Sequence, residues 1–322
     1  MVLQANGSGS VIALLLGLGV VLANGFTDAP GSISGVVSSG IWSHKRACAV
    51  CGIFNFGGVI AFSMLSGRVA EGVFNSADFG NYAVYGICAS LIGVIAFSLL
   101  CWIFSMPSSE SHALISCIFG SSLAISGAGS LGYFIFAVLC TVISCALSLL
   151  ISLISGSTLQ KCRGEWIKSE KISCILSSFM HGGQDGQKFI GLLVFLTVGN
   201  GVSNGAAKLW IYVAVGVFML LGTLMCGKKI ITSLGNGIVK NTEKIAFVSD
   251  FSATVCIFLC SLAGFSVSTG NIKACSLIGA GICEKQKINY KTVIRIAAVS
   301  LITFPLCIGL GYALTRIFIL LF

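Results

Sequence analysis

Apolar positions along the chain come in long blocks, not in a strict two-residue or amphipathic alternation. Runs long enough to cross a bilayer lie near residues 10–27, 47–66, 82–106, 131–155, 209–226, 246–264 and 293–322, against a requirement of about 20 residues per helical span. Shorter apolar runs fill 29–42, 112–127, 173–199 and 271–283, and Gly, Ser, Pro or charge interrupts each of them. Interrupted segments at membrane depth are read as broken or re-entrant helices, because non-helical backbone is tolerated there only when protein or a cavity satisfies it. The pattern predicts an all-α polytopic membrane protein of about ten to twelve transmembrane segments or half-segments.

The interruptions recur. Asn24-Gly25-Phe26-Thr27-Asp28 has a counterpart 157 residues later in His181-Gly182-Gly183-Gln184-Asp185. Met106-Pro107-Ser108-Ser109-Glu110-Ser111-His112 has one 159 residues later in Phe265-Ser266-Val267-Ser268-Thr269-Gly270-Asn271. Two motif pairs at nearly one offset predict a duplicated unit, with a first repeat over 1–155, a linker over 156–172 and a second repeat over 173–322.

Loop charge sets the expected orientation of the copies. Loop 42–46 carries Lys45 and Arg46, whereas its partner 199–207 is read as an uncharged loop. Loop 68–81, with Arg68, Glu71 and Asp78, is net acidic, whereas its partner 227–245 is net basic through Lys228, Lys229, Lys240 and Lys244. Loop 127–131 is uncharged, and its partner near 284–291 is basic. Basic loops stay on the cytoplasmic side, so partner loops are expected on opposite faces, which is an inverted-topology repeat. Linker 156–172 is net basic and expected in the cytoplasm, placing both termini outside. Residues 1–10 lack Lys and Arg, and no A-x-A-like cleavage site follows the first apolar run, so that run is expected to remain in the protein.

Composition narrows the class further. Hydrophobic residues make up 56% and charged residues 9% of 322, and mean hydropathy is +1.00; a soluble domain carries roughly 25% charge. A soluble enzyme or a nucleic-acid binder is therefore excluded, and the net charge of +9 is read as topology, not as a nucleic-acid footprint. The fifteen cysteines are scattered, so a disulfide framework is not expected. Cys48 and Cys51 form a C-x-x-C without a second pair or an adjacent His, and no metal or redox role is assigned to them.

An ionisable residue inside the bilayer is a candidate functional group by default. Asp28 and Asp185 hold equivalent places in the two copies. Either alone could be a loop carboxylate at a helix end, but their symmetry favours a shared role. Buried carboxylates need compensation, and a hard cation such as Na⁺ bound at Asp28 and Asp185, with Asn24 and Gln184 nearby, would supply it. Ser109, Ser111 and His112 open one short helical run, and Ser268 and Thr269 open another. Hydroxyls at a helix start are preferred N-caps; together with free N–H groups they are also an anion site. Gln187 and Lys188 follow Asp185 within one turn, where the lysine either touches an anion or pairs with a carboxylate. Glu110 would repel an anion; pairing with Lys188, carrying a proton or facing away are its alternatives. His112 and His181 are either proton relays or packing residues. No H-E-x-x-H, G-x-S-x-G or phosphate-loop motif is present, so neither an enzyme nor a bound cofactor is expected.

These motifs, in this order, resemble the PiT family of inorganic phosphate transporters. Asn24 to Gly31 is similar to the family's N-G-x-x-D-x-x-N, His181 to Lys188 to its H-G-x-N-D-G-Q-K, Pro107 to His112 to P-x-S-S-S-H, and Val267 to Asn271 to V-S-T-T-H. Cys51 to Gly58 and Lys229 to Ala253 also look familial. Gly31, Gln184, Glu110, Gly270 and Asn271 depart from the pattern. The resemblance implies a cell-membrane symporter importing phosphate with Na⁺ or H⁺. The anion would be held by Ser109, Ser111, Ser268, Thr269, Gln187 and Lys188, in a homodimer embedded in the lipid bilayer. Sulfate, the substrate of another branch, stays open as the alternative.

Overall fold

The computed structural model describes residues 7–65, 79, 82–104, 106, 109–127, 131–162, 164–198 and 205–321. These form helices α1 (Gly7–Thr27), α2 (Pro30–Ser38), α3 (His44–Leu65), α4 (Ala83–Ile103), α5 (Glu110–Ser126), α6 (Leu131–Leu159), α7 (Trp166–Val198), α8 (Gly205–Met225), α9 (Lys228–Gly235), α10 (Glu243–Leu262), α11 (Thr269–Cys283) and α12 (Tyr290–Leu321). Among the described residues, six stretches are long and apolar enough to cross a membrane: Val11–Ser38, His44–Met64, Ala83–Ile103, Leu131–Leu159, Glu243–Leu262 and Tyr290–Leu321. The expected all-α polytopic fold is therefore what forms.

The elements recur in order. α1 with α2 corresponds to α7, α3 to α8, α4 to α10, α5 to α11 and α6 to α12. Their packing recurs with the halves exchanged: α1 lies on α8 as α7 lies on α3, and α1 on α4 as α7 on α10. The half-helix α5 packs on α12, and α11 packs on α6, so each half holds the short helix of the other.

Close crossings explain part of the glycine content. A Cβ at Gly182 would fall within 3.0 Å of the Asn55 backbone, and one at Gly58 would overlap the Phe179 carbonyl. The mirror crossing of α1 and α8 uses Gly25 and Gly222 in the same way, against Met219 and Leu22. Without a hydrophobic drive between helices in lipid, such close backbone approach is the main source of packing energy. α6 and α12 form much of the outside, and exposed Ile135, Leu139, Ile143, Leu150, Leu301 and Leu306 give them an apolar outer surface.

Three expectations change. The run 173–199 was expected to be broken at its glycines, yet α7 is continuous for 33 residues through Gly182, Gly183 and Gly186. Helical hydrogen bonds survive there because the glycines are buried against neighbouring helices instead of facing a turn. Most of 156–172 is helical, since α6 ends at Leu159 and α7 starts at Trp166, and Glu170 is fully buried instead of solvated. Third, the partner of the Lys45–Arg46 loop is shorter than the 199–207 reading, because α8 begins at Gly205. Arg68, Glu71, Asp78, Pro107 and Ser108 lie outside the described residues.

Gly182→Ala is expected to destabilise the α3–α7 crossing by about 1–3 kcal/mol, the usual cost of overpacking. A lowered midpoint in detergent-solubilised thermal unfolding checks it, with Gly132→Ala, where a Cβ meets open space, as the unchanged comparison.

Candidate functional site

The chain breaks helix at Asp28 and Ala29, because Pro30 opens α2 and lacks the N–H that would continue α1. Gly31 and Ser32 still bond back to the carbonyls of Asp28 and Ala29, so the break is one tight step. It leaves the Asp28 side chain facing the start of α5, where the Glu110 N–H donates to Asp28 Oδ2 at 3.4 Å. The carboxylate thus occupies an orphan donor at the positive end of a helix.

Asn24 joins the two repeats. Its Nδ2 donates to Asp28 Oδ2 at 3.3 Å and to Asp185 Oδ2 at 3.2 Å. The two acids therefore lie no further apart than the sum of those distances, as one amide spans them. Asp185 also holds the Lys188 ammonium at 2.6 Å, and His181 Nε2 lies 3.4 Å from its other oxygen. Lys188 is 1% exposed and spends all three donors: on Asp185, on Ser111 Oγ at 2.5 Å and on the Val267 carbonyl at 2.7 Å. It ties α7 to the starts of both short helices.

The serine motifs divide in role. Ser109 and Ser268 cap α5 and α11, accepting from His112 N–H at 3.4 Å and Asn271 N–H at 3.3 Å. Ser111 faces Lys188. Thr269 Oγ1 and both polar atoms of Gln187 are buried without a partner among the described residues, whereas buried polar groups are ordinarily hydrogen-bonded. Gln184 does not join the carboxylates: its Nε2 donates to the Phe265 carbonyl at 2.7 Å, and its Oε1 accepts from Ser261. It braces the segment ahead of α11.

Glu110 does not meet Lys188. Its Oε1 accepts from Thr27 at 2.5 Å, while Oε2 is buried and finds no partner among the described residues. His112 Nε2 sits 2.7 Å from Thr141 Oγ1, whose proton goes to the Ala137 carbonyl, so Nε2 is the donor and the ring is the Nε2–H tautomer. With the Phe304 ring tilted by 30° against it at 4.9 Å, His112 bridges α5 to α6 and α12. His181 Nδ1 donates to Asn55 Oδ1 at 3.2 Å, and Asn55 Nδ2 donates to Thr223 Oγ1 at 2.9 Å. Asn55 is a site neighbour that the motif reading quoted but gave no role; a buried amide inside an apolar run was its signal.

Asp28, Asp185 and Glu110 are three buried acids set against one ammonium, so the group carries formal negative charge in excess. The adjoining cavity, about 10 Å³, is lined by Asp28, Gly31, Ser32, Ser177, His181, Thr269 and Lys273 among others; by that measure it holds about one water.

Away from these acids, the cysteines hold a surprise. Cys48 Sγ approaches Cys226 Sγ at 3.3 Å and His44 Nε2 at 3.7 Å, one helical turn before it on α3. The expectation that no His joins the C-x-x-C pair is therefore corrected: the three ligand atoms lie within 4.8 Å of one another. Cys51 turns instead to Cys174, at 3.4 Å.

Lys188→Met is expected to cost about 3–5 kcal/mol by leaving Asp185 buried and unpaired, with the Lys188→Met/Asp185→Asn double variant recovering part of it. Unfolding of the four corners of that cycle in mixed micelles measures both.

Comparison with known proteins places the fold and the family. The chain is 26% identical over 316 residues to a probable low-affinity inorganic phosphate transporter of Bacillus subtilis, covering 94% of this chain and 95% of the relative. It is 30% identical over 276 residues to one of Rhizobium meliloti, covering 81% and 82%. Its fold matches a solved structure described as the sodium-dependent phosphate transporter at a TM-score of 0.86, with 17% identity over 98% of this chain and all of the other. The model of the phosphate transporter family matches twice, over residues 24–171 and 166–311, once per repeat. By that double match the chain is a member of the phosphate transporter family.

Proposed function

We propose that this chain is a secondary active transporter that imports inorganic phosphate across the cytoplasmic membrane with Na⁺ or H⁺. The observation that carries the reading is that the groups best able to hold an anion are held by the protein's own carboxylates. Asp28 takes the amino end of α5, and Asp185 takes Lys188. A cation arriving at either acid weakens that grip and frees a donor for phosphate. Phosphate arriving alone meets the excess negative charge and is repelled. Binding of the two is thereby coupled with no contact between them, which is the differential interaction that cotransport needs.

On this reading phosphate lies between the starts of α5 and α11, on Ser111, Thr269, Gln187, Lys188 and the first-turn N–H groups, with Ser109 and Ser268 holding those turns in shape. Cations lie at Asp28 and Asp185, with Asn24 between them. Gln184 acts by bracing the approach to α11. Glu110 stays beside the cation site through Thr27, and its second oxygen serves as a further cation or proton acceptor. The small cavity supports a closed arrangement that opens as one half moves against the other, the mode expected of repeat-built carriers.

The repeats are 1–155 and 173–322, inverted about the membrane plane, with the turn between Leu159 and Trp166 as the short cytoplasmic connection and both termini outside. The loop charges and the exchanged packing of the halves support that orientation. The protein acts as a carrier that makes and breaks no covalent bond, and it works as a homodimer in the lipid bilayer, as the resemblance implies. Sulfate is the weaker reading, because the family description and the relatives' names concern phosphate.

Asp28→Asn and Asp185→Asn are each expected to abolish cation-driven accumulation of labelled phosphate in proteoliposomes while the protein still inserts. Wild-type accumulation by either would remove the carboxylates from the mechanism. Excess sulfate is expected to leave phosphate uptake unchanged; strong competition would transfer the reading to a broader oxyanion carrier.

A further inference from the structure

A second buried charge cluster lies where α2, α7, α10 and α11 meet. Lys273 of α11 donates to Asp250 of α10 and to Ser249 Oγ at 2.9 Å. Across from Asp250 stands Glu170 of α7, within hydrogen-bonding reach. Glu170 and Asp250 are fully buried and Lys273 is 2% exposed. Neither oxygen of Glu170, nor Oδ2 of Asp250, finds a donor among the described residues. Both acids abut Gly35 of α2, where an added Cβ would fall within 3.0 Å of Asp250 Oδ2 and of Glu170 Oε1.

Two buried carboxyls facing one ammonium cannot both be ionised at reasonable cost. One positive charge or one proton is missing. The Cα of Gly35 closes the space beside the two oxygens, which argues against a metal ion there and for a proton. A protonated Glu170 supplies the absent donor, its O–H bonding Asp250 Oδ2, while Lys273 compensates the remaining charge. The other titratable groups near the pair are Cys51 of α3 and Cys174 of α7; α2 contributes none over Pro30–Ser38.

We propose that Glu170 and Asp250 form a proton-binding site, sealed by Gly35 of α2 and balanced by Lys273, through which this carrier couples phosphate movement to H⁺. The inference rests on the transport reading and specifies its driving ion. The link to the anion site is structural: α2 continues directly from the break at Asp28, and Lys273 lines the same cavity as Asp28, His181 and Thr269. A shift of α2 that opens the carboxylate site also lifts Gly35 from the pair. Water then reaches Glu170 and takes the proton as hydronium, leaving two carboxylates against one ammonium. Reclosing requires a proton to be taken up again.

Glu170→Gln tests this in proteoliposomes, because its amide donates to Asp250 in place of the proton and keeps the packing. Three measurements are made: exchange of labelled for unlabelled phosphate without gradients, accumulation under an imposed pH gradient, and accumulation under an imposed Na⁺ gradient. The expected result is that the wild type accumulates phosphate under the pH gradient. E170Q keeps exchange but falls to the level reached without a gradient. Asp250→Asn, which leaves one acid against Lys273, is expected to behave the same way and serves should E170Q not insert. Accumulation under the pH gradient that survives in E170Q overturns the inference and leaves the transport reading intact. Wild-type accumulation that follows the Na⁺ gradient alone does the same. Absence of phosphate exchange in the wild type overturns the transport reading and this inference together.

Discussion

The structure turns on the burial of carboxylates faster than it buries cations to match them. Asp28, Asp185 and Glu110 surround one committed ammonium, Lys188, and each is nine-tenths or more removed from solvent. An isolated charge in such surroundings costs several kcal/mol even after relaxation. Several nearby donors are therefore drawn in: the Asn24 amide by two acids, the start of α5 by Asp28, and the three lysine protons by α7, α5 and the segment before α11. The acids at the site are thus held by the protein's own donors, while Thr269 Oγ1 and the Gln187 amide beside them have no partner among the described residues.

That economy explains why the architecture is doubled. Each repeat supplies one acid after a glycine step and one short helix whose start faces it. Exchanged packing then sets α5 against α12 and α11 against α6, so neither half completes its own site. Glycine crossings at Gly25, Gly58, Gly182 and Gly222 let the backbones approach closely enough for single side chains, Asn24 and Lys188, to span the halves. The equivalence is not complete. α1 breaks at Asp28, where Pro30 follows, whereas α7 runs unbroken past Asp185. Lys188 has no counterpart beside Asp28, where Gly31 falls at the matching place. One acid therefore grips a helix end and the other grips an ammonium, so a cation at each would release a different donor.

Much of this was legible in the chain. The all-helical membrane class, the offset of about 157–159 residues between motifs and the pairing of Asp28 with Asp185 are statements about spacing and polarity. They hold because lipid penalises every unpaired polar group, so an acid retained in an apolar run marks its own importance. The hydroxyl-bearing helix starts were visible for the same reason. Glu170 falls within the linker 156–172, whose net basic charge pointed to the cytoplasm, and Asp250 and Lys273 passed unremarked within apolar runs. The signal was present, since both are ionisable groups at membrane depth, but a separation of 23 residues says nothing about contact.

The amino-acid order by itself determined the class of protein, its duplicated build and the two motif acids that lie buried in apolar runs, because hydropathy and local helix chemistry act over one or two turns. Tertiary structure alone decided who meets whom. It sent Lys188 to Asp185 and not to Glu110, turned Gln184 away from the acids, set His112 against Thr141 and Phe304, carried α7 intact through its glycines and brought His44, Cys48 and Cys226 together. Those outcomes depend on which helix faces lie opposite one another across the bundle, and that geometry is fixed by close packing between segments more than a hundred residues apart in the chain.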